Sequence, residues 1–181
     1  MAVLAERPGG GEFAPYYERY IGRVPDGDVV ELLERQAGEA AAYLRSAAEK
    51  ADHRYEPGKW SVKEVVGHLN DAERIFAYRA LRIARGDQTP LPGWDENAYV
   101  PTGNFGARSL ESLLDEWADL RRATLWLFRH LDAEAFARRG TANNHGVSVR
   151  ALAYVTAGHI AHHLEILRSR YLAGAAAPAS A

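Results

Sequence analysis

Apolar residues recur along this chain at the spacing of one helix face in four long segments. The first covers about 28–50, where Val29, Leu32, Leu33, Ala40, Tyr43 and Leu44 form a stripe and Asp28 with Glu31 makes a start like a capping box. The second covers about 61–85. Ser61 and Glu64 frame its capping box, Val62, Val65, Val66, Leu69, Ala72, Ile75, Phe76 and Ile83 line its stripe, and Gly86 stands where a helix stops. The third begins at Ser109 and runs through Leu110, Leu113, Leu114, Trp117, Leu120, Leu125 and Phe128 to about Leu131, with a short helical turn in DAEAFARR. The fourth follows Ser148 and runs through Leu152, Val155, Ile160, Leu164, Ile166 and Leu167 to about Tyr171. No segment shows sustained strand alternation, so the pattern predicts an all-α chain, an antiparallel four-helix bundle.

The second and third helices are joined by a long stretch, 87–108, that contains QTPLPGWDENAYVPTGNFGA. Loops of this length inside a domain are functional or disordered. Trp94, Tyr99 and Phe105 favour an ordered, packed loop, and Trp94 and Tyr99 either line a pocket mouth or simply pack it. A shorter loop, GTANNHGV, precedes the fourth helix. The chain divides into an N-terminal leader or arm over 1–22, one bundle domain over 23–173 and a flexible tail over 174–181.

Composition narrows the function. The 181 residues fit one domain, with 47% hydrophobic and 25% charged residues and a formal net charge of −2. Basic residues are spread along the chain, which argues against nucleic acid as a partner. Cysteine is absent, which excludes disulfides, cysteine nucleophiles and thiolate metal sites and is compatible with a cytoplasmic location. No apolar run is long enough to span a bilayer, and Glu6 with the Pro-Gly cluster breaks up the N-terminus too early for a signal peptide. A homodimer is the expected assembly, as the commonest one for soluble proteins.

The chemistry concentrates in GHIAHHLEIL, residues 158–167. His159 and His163 are one helical turn apart on one face, the geometry needed to ligate one metal, while His162 points roughly 100° away toward a flank. Such a pair is equally well a pair of core histidines. His68, in register with Val65, Leu69, Ala72 and Ile75 on the second helix, changes the balance. Three inward histidines from two helices can converge in a bundle core, where metal sites are built. Three protein ligands plus an open position is the pattern of a catalytic zinc site. The HxxxH here has Ile160 where a zinc protease needs its glutamate base, so that reading fails.

KWSVKEVVGHLNDAERI followed late in the chain by GHIAHHLEIL resembles the DinB/YfiT-like superfamily over about residues 28–172. That resemblance implies an antiparallel four-helix bundle with a divalent metal at three histidines, falling here on His68, His159 and His163. It also implies a metal-dependent hydrolase or a low-molecular-weight-thiol S-transferase. The cosubstrate thiol has to come from outside, because the chain has no cysteine. The metals that suit three imidazoles are zinc or nickel first, then iron or manganese. Rival readings are a non-catalytic, stress-associated metal- or ligand-binding module, and an oligomerising scaffold whose histidines are satisfied core groups.

Two acids accompany His68. Glu64 caps the helix or acts in catalysis, and Asp71 either accepts an imidazole N–H or is an ordinary surface acid. Arg79 continues the stripe and either meets an anionic substrate or pairs with an acid on a neighbouring helix. Trp60 reads as a staple at the start of the second helix, His130 as a cation at a helix end, His53 as exposed and His145 as a turn residue that could overhang the site.

Overall fold

The long helices begin where the side chains that cap them stand. In the computed structural model, which describes residues 6–172, Asp28 caps α2 (Val29–Arg45), Ser61 caps α3 (Val62–Ala84), Ser109 caps α5 (Leu110–Arg129) and Ser148 caps α7 (Val149–Ile166). The capping box of α3 has both arms: Ser61 Oγ accepts from Glu64 N at 3.2 Å, and Glu64 Oε2 accepts from Ser61 N at 2.6 Å. Gly86, at φ 80°, ends α3 in the left-handed conformation that glycine adopts freely. These four helices form the bundle, α3 packing on α5 and α7, and α2 on the same two. None of the described helices is long and apolar enough to cross a membrane.

The first helix is shorter than its pattern predicts. Regular α-structure stops at Arg45, and a separate 3-10 turn covers Ala48–Lys50. The long loop is ordered, as expected, but holds a helix of its own, α4 (Glu96–Thr102), capped by Asp95, and a 3-10 turn at Phe105–Ala107. DAEAFARR contains α6 (Ala133–Ala137). The loop before α7 is a hairpin of β1 (Arg139–Ala142) and β2 (His145–Ser148), paired antiparallel with Arg139 opposite Ser148. Asn143 and Asn144, at φ 50° and 63°, form its two-residue turn, the conformation that suits the twist of short hairpins. Four-residue strands are too short to show alternation in a sequence.

Much of the segment assigned to the leader is folded. A 3-10 turn at Pro15–Tyr17 leads into α1 (Glu18–Ile21), which packs on α7 with Tyr20 and Ile21 buried. Glu12 anchors what precedes it. Its carboxylate takes two charge-assisted bonds from Arg150, both 2.6 Å, and one from Gly9 N, while its carbonyl accepts from Ser148 N at the start of α7. Residues 1–5 of the leader and the tail over 174–181 lie outside the described residues.

The interior is two apolar clusters in tandem. Along α3, Val65 and Leu69 belong to one and Ala72 and Phe76 to the other; along α7 the change falls between Ala157 and Ile160. Arg121 crosses the bundle, fully buried, donating to Glu73 Oε1 and Oε2 at 2.8 and 2.9 Å and to the Leu33 carbonyl at 3.1 Å. That fork ties α5 to α3 and α2. A buried pair of this kind is strongly destabilising to break from one side, by about 3–5 kcal/mol, because the survivor is an unpaired charge.

The Arg150 bonds, chiefly, hold the Glu12 carboxyl down at about 2, against 4.5 for the free group. The folded state therefore gains stability above the ordinary carboxyl value and loses it as pH falls from 4.5 toward 2. Glu12→Gln is expected to lower the unfolding free energy at pH 7 by about 2 kcal/mol. The difference from wild type should shrink across that acid window, as read by urea denaturation at a series of pH values.

Candidate metal centre

Both helices that carry the site have a glycine just before the first histidine. A Cβ at Gly67 would lie 2.3 Å from the Phe105 ring, and one at Gly158 would lie 2.0 Å from the Tyr20 carbonyl oxygen. The two glycines let the long loop and α1 close down on α3 and α7 at the level of His68 and His159. His159 falls where α7 passes from one apolar cluster to the other, and His68 directly precedes Leu69, the last α3 residue of one of them.

The three imidazoles predicted from spacing converge. His159 Nε2 lies 3.1 Å from His68 Nε2 and 3.1 Å from His163 Nε2, and one ligating atom from each ring lies within 4.8 Å of the others. His68 and His159 are buried and His163 is partly exposed. Burial pulls the His68 imidazole down to about 4, and it pulls His159 and His163 well below the ordinary histidine value, with His68 and His162 pushing both the same way. All three are therefore neutral at pH 7.

A neutral imidazole nitrogen offers either one N–H or one in-plane lone pair. The lone pair of His159 Nε2 can take one good hydrogen bond, yet two nitrogens approach it at 3.1 Å. Hydrogen bonding within the cluster leaves one contact unsatisfied. A cation between the rings meets all three lone pairs at once. Ligands at 2.0–2.1 Å from a tetrahedral zinc are about 3.3 Å apart, close to the spacing here. The donor set therefore fits a divalent ion.

Aromatic side chains enclose His68. Trp94 from the long loop stacks on its ring at 5.5 Å and 15°, and Trp60, just before the cap of α3, lies 5.0 Å away, tilted by 45°. Tyr20 and Phe76 meet the His159 ring edge-on at 5.2 and 5.5 Å. Two cavities adjoin the cluster. One, of about 280 Å³, reaches His159 and is lined by Tyr16, Tyr17, Tyr20, Phe76, Arg79, Trp94, Glu96, Asn143 and His145 among others. The other, of about 270 Å³, reaches His163 beside Tyr55, Lys59, Trp60, Asn97 and Tyr171.

The acids named with His68 lie outside the cluster. Glu64 is occupied by the capping box and by Arg54, which donates to its Oε1 at 2.9 Å. Asp71 lies 3.9 Å from Arg74; burial raises its carboxyl, and Glu116 adds to the rise. His68 Nδ1 has no hydrogen-bond partner among the described residues, so neither acid orients that ring. His162 leaves the cluster as its angle predicts, its ring 5.4 Å from Tyr20. His130 ends α5, stacked on Trp126, with Nδ1 2.8 Å from the Trp126 carbonyl.

The sequence reading missed the tyrosines of the N-terminal segment, because a Pro-Gly-rich start reads as a leader. The tyrosine spacing over 16–20 was the available signal. It also left Asn143 as loop. The Asn-Asn pair at a two-residue turn could have placed it.

A helical bundle with three histidines converging from two of its helices is the class that this fold and site define. The chain belongs to the DinB superfamily, whose sequence profile matches residues 31–167. It is also similar in structure to YfiT from Bacillus subtilis, described as a probable metal-dependent hydrolase with an unusual four-helix bundle topology. The match has 24% identity and a TM-score of 0.63 and covers 80% of this chain and 89% of that one, a likeness of fold. No curated protein matches the chain.

Gly158→Ala is expected to push α1 off α7, since the obstacle is backbone rather than a side chain that can swing away. Overpacking of this kind costs about 2 kcal/mol, roughly 5 °C in Tm for a chain of this size. Gly146→Ala, where nothing lies within 4 Å of the added Cβ, is the control and should leave the Tm unchanged in a calorimetric scan.

Proposed function

We propose that this chain is a metal-dependent hydrolase in which His68, His159 and His163 hold one divalent ion, zinc or nickel before iron or manganese, through their Nε2 atoms. The observation that carries the reading is the pair of 3.1 Å approaches to the His159 Nε2, which the rings cannot satisfy among themselves. Such an ion supplies Lewis acidity, lowering the pKa of water or a thiol and polarising a substrate carbonyl or phosphoryl oxygen. The chain's own part is preparatory. Burial keeps the three imidazoles neutral, so each has one ring nitrogen with a free lone pair and no imidazolium has to lose its extra proton before it can coordinate. Trp60 and Trp94 hold the His68 ring and shield it from water. The cavity at His159 admits a small-molecule substrate.

A second reading is transfer of a low-molecular-weight thiol. The separate cavity at His163 supports it, since it offers a cosubstrate its own approach to the cluster, and the chain itself carries no cysteine to serve.

Protein purified without a histidine tag is expected to contain about one divalent ion per chain by elemental analysis. His68→Ala should lose that ion and with it any turnover of a panel of esters, amides and thiol–electrophile pairs, while the far-ultraviolet dichroism stays helical. Stoichiometric metal retained in His68→Ala would refute the ligand assignment. Metal without turnover across the panel would favour a binding module instead.

A further inference from the structure

Among the described residues five charged ones are buried: Glu12, Lys63, Glu73, Arg79 and Arg121. Glu12 pairs with Arg150, Lys63 with Asp52, and Glu73 with Arg121. Arg79 is the exception. The residue is 3% exposed, and no carboxylate among the described residues lies within ion-pair distance of it. It donates to the Pro92 carbonyl at 2.7 Å and, at 3.4 Å, to the Tyr17 hydroxyl. Both acceptors are neutral, so they use N–H groups without cancelling the charge. A guanidinium does not deprotonate in a protein, so it cannot escape burial by becoming neutral, as the histidines do.

Arg79 lines the same cavity as His159. It follows His68 by about three helical turns, on the same face of α3, so it enters the cavity from the end away from the histidines. Of the two uses open to it from the sequence, pairing with an acid on a neighbouring helix is absent among the described residues. We infer that the cavity beside His159 takes a small organic monocarboxylate and that Arg79 holds its carboxylate. The inference rests on the reading of this cavity as the substrate side of the metal centre. A planar guanidinium matches a carboxylate geometrically as well as in charge. Phe76, Trp94 and Tyr20 give the organic body an apolar, aromatic wall. Glu96, in the same lining and outside ion-pair distance of Arg79, repels a second negative charge and so favours a monoanion over a dianion such as phosphate.

The test uses benzoate against its neutral isostere benzamide, with binding followed by calorimetry on the full chain in zinc-loaded and chelator-treated form. Benzoate is expected to bind at least about tenfold tighter than benzamide in both forms. Arg79→Gln should lose at least about tenfold in benzoate affinity, with zinc content and helical dichroism unchanged. Arg79→Lys keeps the charge without the planar fork and should fall between the two; it decides the matter if the glutamine variant does not fold. Equal binding of acid and amide, or benzoate binding indifferent to both substitutions, would overturn the inference. So would binding confined to the zinc-loaded form, since that would place the carboxylate on the metal. The two readings fail separately: Arg79-dependent benzoate binding in protein that takes up no metal would refute only the hydrolase. Stoichiometric zinc with Arg79-independent binding would refute only the carboxylate site.

Discussion

Three imidazole rings packed nitrogen to nitrogen in an apolar bundle are tolerated only as neutral groups, and neutrality leaves them with lone pairs to satisfy. A charged ring at this position would meet two further imidazoles in a medium that does not solvate it, so burial keeps each ring neutral. The rest of the site follows from that constraint. α3 and α7 must face each other at the level of His68 and His159, and the glycines before them remove the side chains that would hold Phe105 and Tyr20 away. The tryptophans then close around His68.

Elsewhere the protein handles buried charge by pairing. Arg121 and Glu73 make a bidentate fork with a carbonyl completing the set, and Glu12 clasps Arg150 from the far end of the chain. These contacts do different structural work: the first ties three bundle helices together, the second brings the N-terminal segment onto α7. Against that practice Arg79 stands out, in a cavity wall with no acid beside it among the described residues, as do three histidines whose contacts cannot all be hydrogen bonds. Both exceptions border one cavity, and unmet polar requirements gathered in one place are what a binding site has before its ligand arrives.

The N-terminal segment shows how local reading and tertiary context part company. Its prolines and glycines carry no periodic stripe, and its helix, Glu18–Ile21, is a single turn that could not persist alone. It is ordered because Tyr20 and Ile21 are buried against α7 and Glu12 finds Arg150 more than a hundred residues later. Nothing near either residue in the sequence signals that pairing. The hairpin before α7 was hidden for a related reason: four-residue strands are shorter than the window in which alternation can be recognised.

The sequence by itself determined the four long helices, because caps and 3.6-residue periodicity are local properties written in consecutive residues. It also determined the histidine pair on α7, since a spacing of four stacks two side chains on one face whatever the surroundings. It singled out His68 as the third histidine by its place on an apolar stripe, and the packing of α3 on α7 brought that ring to the other two. Only the tertiary structure decided that Glu64 and Asp71 point to other partners, that the N-terminal tyrosines wall the cavity and that Arg79 meets no acid among the described residues. Those are facts about which distant segments meet, and they depend on the three-dimensional sum of burial and charge rather than on any stretch of chain read alone.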